Sequence, residues 1–166
     1  MSYSADMKSV IVAFTGHRSY HHEADMELDT IVANLYDEGA RTFRVGMADG
    51  FDLAAAEAVI RLQSTHDDIA LEAYTPFPAF ASGFSSTDAI RYDAIISHCD
   101  SVTYAMERYH NSAYMLRNNM LVDGAQVVVA WWNGARSGTG YTVGRARRNR
   151  CRIINLYPQP QLEIDF

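Results

Sequence analysis

Apolar residues run along this chain in two rhythms. Short strand-like stretches lie at Val10 to Phe14, Thr42 to Val45, Ile69 to Tyr74, Ser101 to Tyr104, Gln126 to Trp132 and Arg152 to Leu156, several of them rich in β-branched residues. Several are continuous enough to predict strands buried on both faces. Between them, apolar positions recur at helical spacing, as at Leu28, Ile31, Val32 and Leu35 within Glu23 to Glu38, where Gly39 is placed to stop the helix. Asp52 to Gln63, Thr87 to His98, Ser112 to Gly124 and Thr142 to Asn149 read as helices in the same way. Regular strand–helix alternation predicts an α/β fold in three layers: a mainly parallel sheet covered by helices on both faces. At 166 residues and 48% hydrophobic, the chain is expected to be one domain over residues 1–166, its tail from Pro158 to Phe166 leaving the body or packing along it.

The strands end in an unusual way. Val10 to Phe14 opens into Thr15-Gly16-His17-Arg18, where a glycine turn toward a helix leaves free backbone N–H groups, and Arg18 adds a planar cation suited to two phosphate oxygens. Taken alone, this tetrapeptide reads more readily as a plain turn with a surface arginine. The second strand leads into Gly46-Met47-Ala48-Asp49-Gly50-Phe51-Asp52, whose glycines permit positive φ or close approach of a ligand. Asp49 or Asp52 can cap the following helix, and Glu57, one turn past Leu53, falls toward its inner or ligand-facing side. Capping and a buried ion pair compete with contact to ribose or base donors for these carboxylates; the ligand reading is preferred for Asp49 and Glu57. After the strand ending at Trp132 comes Asn133-Gly134-Ala135-Arg136-Ser137-Gly138-Thr139-Gly140, with hydroxyls at Ser137 and Thr139 and N–H groups able to form an anion nest. Parallel strands bring all their carboxyl-end loops to one edge, so three such loops can converge on one crevice.

Composition trims the options. Fourteen basic against twenty acidic residues give a net charge of -6, which argues against a broad nucleic-acid surface. The arginines at 145, 147, 148, 150 and 152 are crowded, but they read as a complement to a helix end and to acidic neighbours. Cys99 and Cys151 form no zinc or disulfide pattern, and His21-His22 offers no third ligand at useful spacing, so no metal is expected. Neither G-x-G-x-x-G nor G-x-x-x-x-G-K-[ST] occurs. The start of the chain has no signal-peptide pattern, and no apolar run nears membrane-spanning length, so a soluble cytoplasmic protein without a membrane partner is expected.

Thr15-Gly16-His17-Arg18, Gly46 through Glu57, Pro76-Phe77, Tyr114 through Arg117-Asn118, Met120-Leu121-Val122-Asp123 and Ser137-Gly138-Thr139 stand in the order found in YpsA-like proteins. The chain thus resembles that branch of the SLOG (SMF/DprA–LOG) superfamily from about Val10 to Leu156. The resemblance implies a Rossmann-like sheet, a nucleotide or nucleotide-derived ligand of the NAD or ADP-ribose kind, no required cofactor, and a homodimer. It also favours ligand contact for Arg117 over pairing with Asp123 or Glu107. The LOG enzymes of the superfamily cleave nucleotide N-glycosidic bonds and carry P-G-G-x-G-T-x-x-E. Here Ala135 to Val143 lacks the glycine pair and the glutamate.

Two function classes follow. The first is a binding or sensing domain whose ligand contacts are Thr15, Gly16, His17, Arg18, Gly46, Asp49, Gly50, Asp52, Arg117, Gly134, Ser137, Gly138 and Thr139. The second is a nucleotide N-glycosidic hydrolase with Glu57 or Asp49 as its catalytic carboxylate. DprA-like binding of single-stranded DNA is a minor third reading, because it needs a basic groove with stacking aromatics.

Overall fold

The computed structural model describes residues 9–159; the opening segment and the end of the expected tail, residues 160–166, lie outside it. Strands β1 (Val10–Gly16), β2 (Ala40–Val45), β3 (Ala70–Thr75), β4 (Ser101–Tyr104), β5 (Val127–Trp131) and β6 (Arg152–Asn155) form one sheet in the order β4-β3-β2-β1-β5-β6. Every neighbouring pair is parallel. Helices α1 (Asp25–Asp37), α2 (Phe51–Gln63), α3 (Ser86–His98), α4 (Ala113–Val122) and α5 (Gly138–Arg148) fill the crossovers, with a short 3₁₀ turn at Phe80–Gly83.

Successive strand residues point to opposite faces, and the two cores divide accordingly. Val12 and Phe14 of β1 and Val127, Val129 and Trp131 of β5 join the larger core with Leu28, Val32 and Leu35 of α1, Leu53 and Val59 of α2 and Ile95 of α3. Ala13 and Val128 point the other way, onto Leu121 and Val122 of α4 and Ala146 of α5. The sheet is therefore sandwiched as its uninterrupted apolar runs require. Burial of each core leucine contributes about 1.5–3 kcal/mol.

Strands β1 to β4 are laid down in one direction across the sheet. The chain then returns through α4 and places β5 on the free side of β1. At this reversal the loops after β1 and β5 diverge to opposite faces, leaving a crevice outside the strand ends.

Three local features differ from the sequence expectation. Helix α5 begins at Gly138 rather than Thr142, because the Ser137 hydroxyl caps it by accepting the Gly140 N–H at 3.0 Å. Neither Asp49 nor Asp52 caps α2: Gly50 is the N-cap, at φ 85°, without a side-chain cap bond. Its conformation and position both call for glycine, since a Cβ there would lie 2.6 Å from the Arg18 carbonyl oxygen. The 3₁₀ turn at Phe80 had no counterpart in the pattern. Among the described residues no helix is long and apolar enough to cross a membrane.

Candidate functional site

A cleft of about 520 Å³ occupies the reversal point. Thr15 to Ser19 line it from the end of β1, Ala48 and Asp52 from the turn after β2, Tyr114, Arg117, Asn118 and Leu121 from α4, and Ser137, Gly138 and Thr139 from the start of α5. Nine of the residues proposed from sequence are thus brought together: Thr15, Gly16, His17, Arg18, Asp52, Arg117, Ser137, Gly138 and Thr139.

Two arginines supply its positive charge by different means. The Arg18 side chain is 56% exposed, and its Nε lies 3.3 Å from Asp49 Oδ1. That is an ion-pair distance without hydrogen-bond alignment, for the same oxygen has no hydrogen-bond partner. Arg117 is buried at 6% exposure; its Nη1 donates to the Gly46 carbonyl and its Nε to Asn118 Oδ1 at 2.8 Å. Burial lowers its pKa from the usual arginine value, against the stabilising charge of Asp52. Both guanidinium carbons stand near the Phe80 ring, at 5.5 Å for Arg18 and 5.6 Å for Arg117, so the 3₁₀ turn provides an aromatic surface against both cations.

Asp52 is the acid of the cleft. It is 6% exposed on the first turn of α2; Oδ2 accepts the Ala48 N–H at 3.1 Å, whereas Oδ1 is buried without a partner. Burial pushes its pKa up to about 6, with Arg117, the Ala48 hydrogen bond and Arg18 opposing the rise and Asp49 adding to it. A perturbed, half-satisfied carboxylate lining a cleft makes Asp52 a candidate functional residue.

The opposite wall is the amino end of α5. Ser137 and Gly138 present the positive end of that helix to the cleft, and a Cβ on Gly138 would meet only Asn118 Nδ2, at 4.0 Å. His17 is fixed across the crevice: its Nε2 accepts the Asn133 N–H at 3.0 Å, which leaves the loops after β1 and β5 joined.

The remaining predicted residues lie elsewhere. Glu57 does not line the cleft; it forms a multiple hydrogen-bonded ion pair with Arg91 of α3, which also holds Asp88. Glu57 faces α3, where Arg91 pairs with it, and it stands off the cleft wall on which the catalytic reading needs it. Asp49 backs Arg18 and is likewise absent from the cleft wall. Gly46 makes room for protein: a Cβ there would sit 2.9 Å from Asp52 Oδ2. Gly50 borders a second cavity, of about 380 Å³, on the far side of Arg18, together with Tyr20, His21, His22, Ser85 and Arg91. Gly134 lies at φ 88° in the exposed turn beside Trp132. Arg117 pairs with neither Asp123 nor Glu107; Asp123 is taken by Arg145 at 2.8 Å.

Sequence reasoning missed Phe80, Tyr114 and Asn118 as site residues. Tyr114 and Asn118 lie one helical turn apart on α4, and Tyr114 is also a turn before Arg117, a signal available from the α4 pattern. Phe80 carries none, since an aromatic in a loop between two elements has no periodicity.

A parallel sheet reversing at β1, with glycine-bearing loops and a polar cleft at that point, defines a Rossmann-like protein of the ligand-crevice kind. The model of the YspA SLOG family matches residues 12–150, and the chain belongs to that family. A UPF0398 protein of Bacillus thuringiensis strain Al Hakam is 24% identical over 110 residues, 65% of this chain and 60% of the relative. A UPF0398 protein of Halalkalibacterium halodurans is 30% identical over 107 residues, 63% of this chain and 57% of the relative. The match thus spans about three-fifths of the length of these curated relatives. Among solved structures, DNA processing protein A (DprA) of Streptococcus pneumoniae superposes with a TM-score of 0.67 at 16% identity, over 94% of this chain and 53% of that one. The Helicobacter pylori DNA processing protein A, described for its single-stranded DNA binding, gives a TM-score of 0.67 at 16% identity, over 92% and 67%. At these identities the structures establish a shared fold.

Proposed function

We propose that this protein binds a nucleotide or nucleotide-derived ligand in the cleft at the β1/β5 reversal. The carrying observation is the convergence of the half-exposed Arg18 guanidinium and the uncrowded amino end of α5 on one space of about 520 Å³. A phosphate there meets a fork of donors on one side and backbone N–H groups on the other. Tyr114 and Leu121 offer apolar surface for the rest of the ligand. The test is a thermal-shift panel of nucleoside phosphates, NAD, ADP-ribose and cyclic nucleotides, followed by calorimetry on the strongest member and on Arg18→Ala. A ligand that binds the folded state raises its melting temperature. A flat panel, or equal affinity in parent and variant, refutes the reading.

With Glu57 held by Arg91, glycosidic hydrolysis has Asp52 as the one carboxylate on the cleft wall. Release of free base from a nucleoside monophosphate, lost in Asp52→Asn, would make the protein an enzyme; binding without release is the expected outcome. One observation supports the single-stranded nucleic-acid reading. Trp132 stands beside the cleft with the Arg147 guanidinium 5.6 Å from its ring and exposed Arg136 nearby. Fluorescence anisotropy with a labelled thymidine oligomer tests it, and saturable binding lost in Trp132→Ala would favour it. The homodimer implied by family resemblance is read by sedimentation of the full chain.

A further inference from the structure

The groups around Asp52 restrict what the cleft accepts, an inference that rests on the anion-binding reading above. Asp52 is faced by Arg117 from α4, by Arg18 from the loop after β1 and by Asp49 from its own loop. Arg117 spends Nη1 on the Gly46 carbonyl and Nε on Asn118, so it acts on Asp52 through its charge and donates no hydrogen bond to it. The two arginines and two aspartates sum to zero charge. A bare oxyanion placed beside Oδ1 meets a carboxylate with no net positive field to offset it. A ligand with its anionic group toward Arg18 and α5, and a hydroxyl toward Oδ1, instead supplies the bond this buried oxygen lacks.

We propose that Asp52 is the specificity residue of the cleft: it accepts a hydroxyl carried next to the ligand's anionic group, so sugar-phosphate esters enter while bare oxyanions are turned away until Asp52 takes up a proton. Protonation turns Oδ1 from acceptor into donor and leaves the four-group cluster at a net charge of +1. With half-protonation near pH 6, the proton-bearing fraction rises about 30-fold between about pH 7.5 and 5. Apparent oxyanion affinity scales with the competent fraction.

Calorimetry of the full chain with two probes, sulfate and ribose 5-phosphate, tests this; sulfate keeps its charge throughout the range. At about pH 7.5 ribose 5-phosphate should bind at least roughly 10-fold tighter than sulfate, as one hydrogen bond to a charged group predicts. Acidification to about pH 5 should strengthen sulfate binding by up to about 30-fold in the parent. Asp52→Asn should bind sulfate with little dependence on pH and weaken the ester severalfold. Histidine titrates in the same range, and His17 lines the same cleft; His17→Asn should keep the parent's slope with pH whatever its affinity. A parent whose sulfate affinity is flat, or a slope that survives Asp52→Asn, overturns the assignment to Asp52 while leaving Arg18-dependent binding intact. Failure of both probes to bind the parent at either pH overturns this inference; flat results in the nucleotide panel as well would overturn the anion reading beneath it.

Discussion

Replacing Asp52 by asparagine should stabilise the protein at neutral pH. The acid is buried, Oδ1 has no partner, and its pKa stands at about 6 against the ordinary 3.8. The folded state therefore holds this proton more tightly than the unfolded chain does. Between pH 4 and 6 the native protein binds more protons, so this group's contribution to stability falls as pH rises through that window and is level above it. The difference of about 2 pKa units corresponds to about 3 kcal/mol of destabilisation once both states are ionised. Solvent screening is slight, since Asp52 is only 6% exposed. Asparagine can keep the Ala48 N–H bond through its carbonyl oxygen and removes the buried charge, which for a chain of this size raises the melting temperature by about 6–12 °C. The decisive quantity is the variant-minus-parent difference followed with pH by urea unfolding, because any fixed cost of an unpaired amide cancels from it. That difference should shrink by about 2 kcal/mol between about pH 7.5 and 4.5. A difference independent of pH would refute the claim that Asp52 carries a displaced proton equilibrium.

Arg18→Ala should weaken any phosphorylated ligand found in the panel by about 1.5–3 kcal/mol in calorimetry while leaving the unfolding midpoint unchanged, as expected for an exposed side chain making a charged hydrogen bond. Gly138→Ala should fold normally because its Cβ enters open cleft, whereas Gly138→Val should obstruct ligand binding more than stability; a variant that unfolds but binds normally in its folded fraction would make this glycine structural. Gly50→Ala should destabilise by more than about 1 kcal/mol, since φ is positive and the added carbon meets the Arg18 backbone; a neutral effect on the urea midpoint would contradict that crowding. Glu57→Gln should lower stability by about 1 kcal/mol, the modest scale of a partly exposed ion pair, and leave ligand affinity within about twofold; a large affinity loss would return Glu57 to the site.

The layers of the fold were legible because buried parallel strands show as unbroken apolar runs and the helices between them as 3.6-residue periodicity. Strand order was not, since pairing joins segments far apart in sequence, yet the site depends on it: β5 must return beside β1 before Ser137 can face Arg18. Individual side chains were harder. Asp52 and Glu57 lie on one helix and both looked poised for a crevice, but α3 brings Arg91 to Glu57 and nothing comparable to Asp52 Oδ1. Gly46 and Gly138 were read alike, as backbone open to a ligand. One instead clears space for Asp52 Oδ2, and the other starts a helix whose glycines hid it from a propensity reading.

The structural duty of Asp52, accepting the Ala48 N–H, requires only a neutral acceptor. Asparagine could fill it without burying a charge, and the amino end of α2 and two nearby arginines offset only part of the desolvation that lifts the carboxyl to about 6. The surplus cost falls on one oxygen, and that oxygen belongs to a residue lining the cleft. Departures from locally consistent chemistry of this kind concentrate at functional sites. Among the residues that line the cleft, Asp52 is the one with a buried side-chain oxygen lacking a hydrogen-bond partner. The unpaired Oδ1 of Asp52 is the demand on a cleft-lining residue that a ligand is left to meet, which is why the specificity reading, as distinct from Arg18-dependent binding, stands or falls at this residue rather than at Glu57.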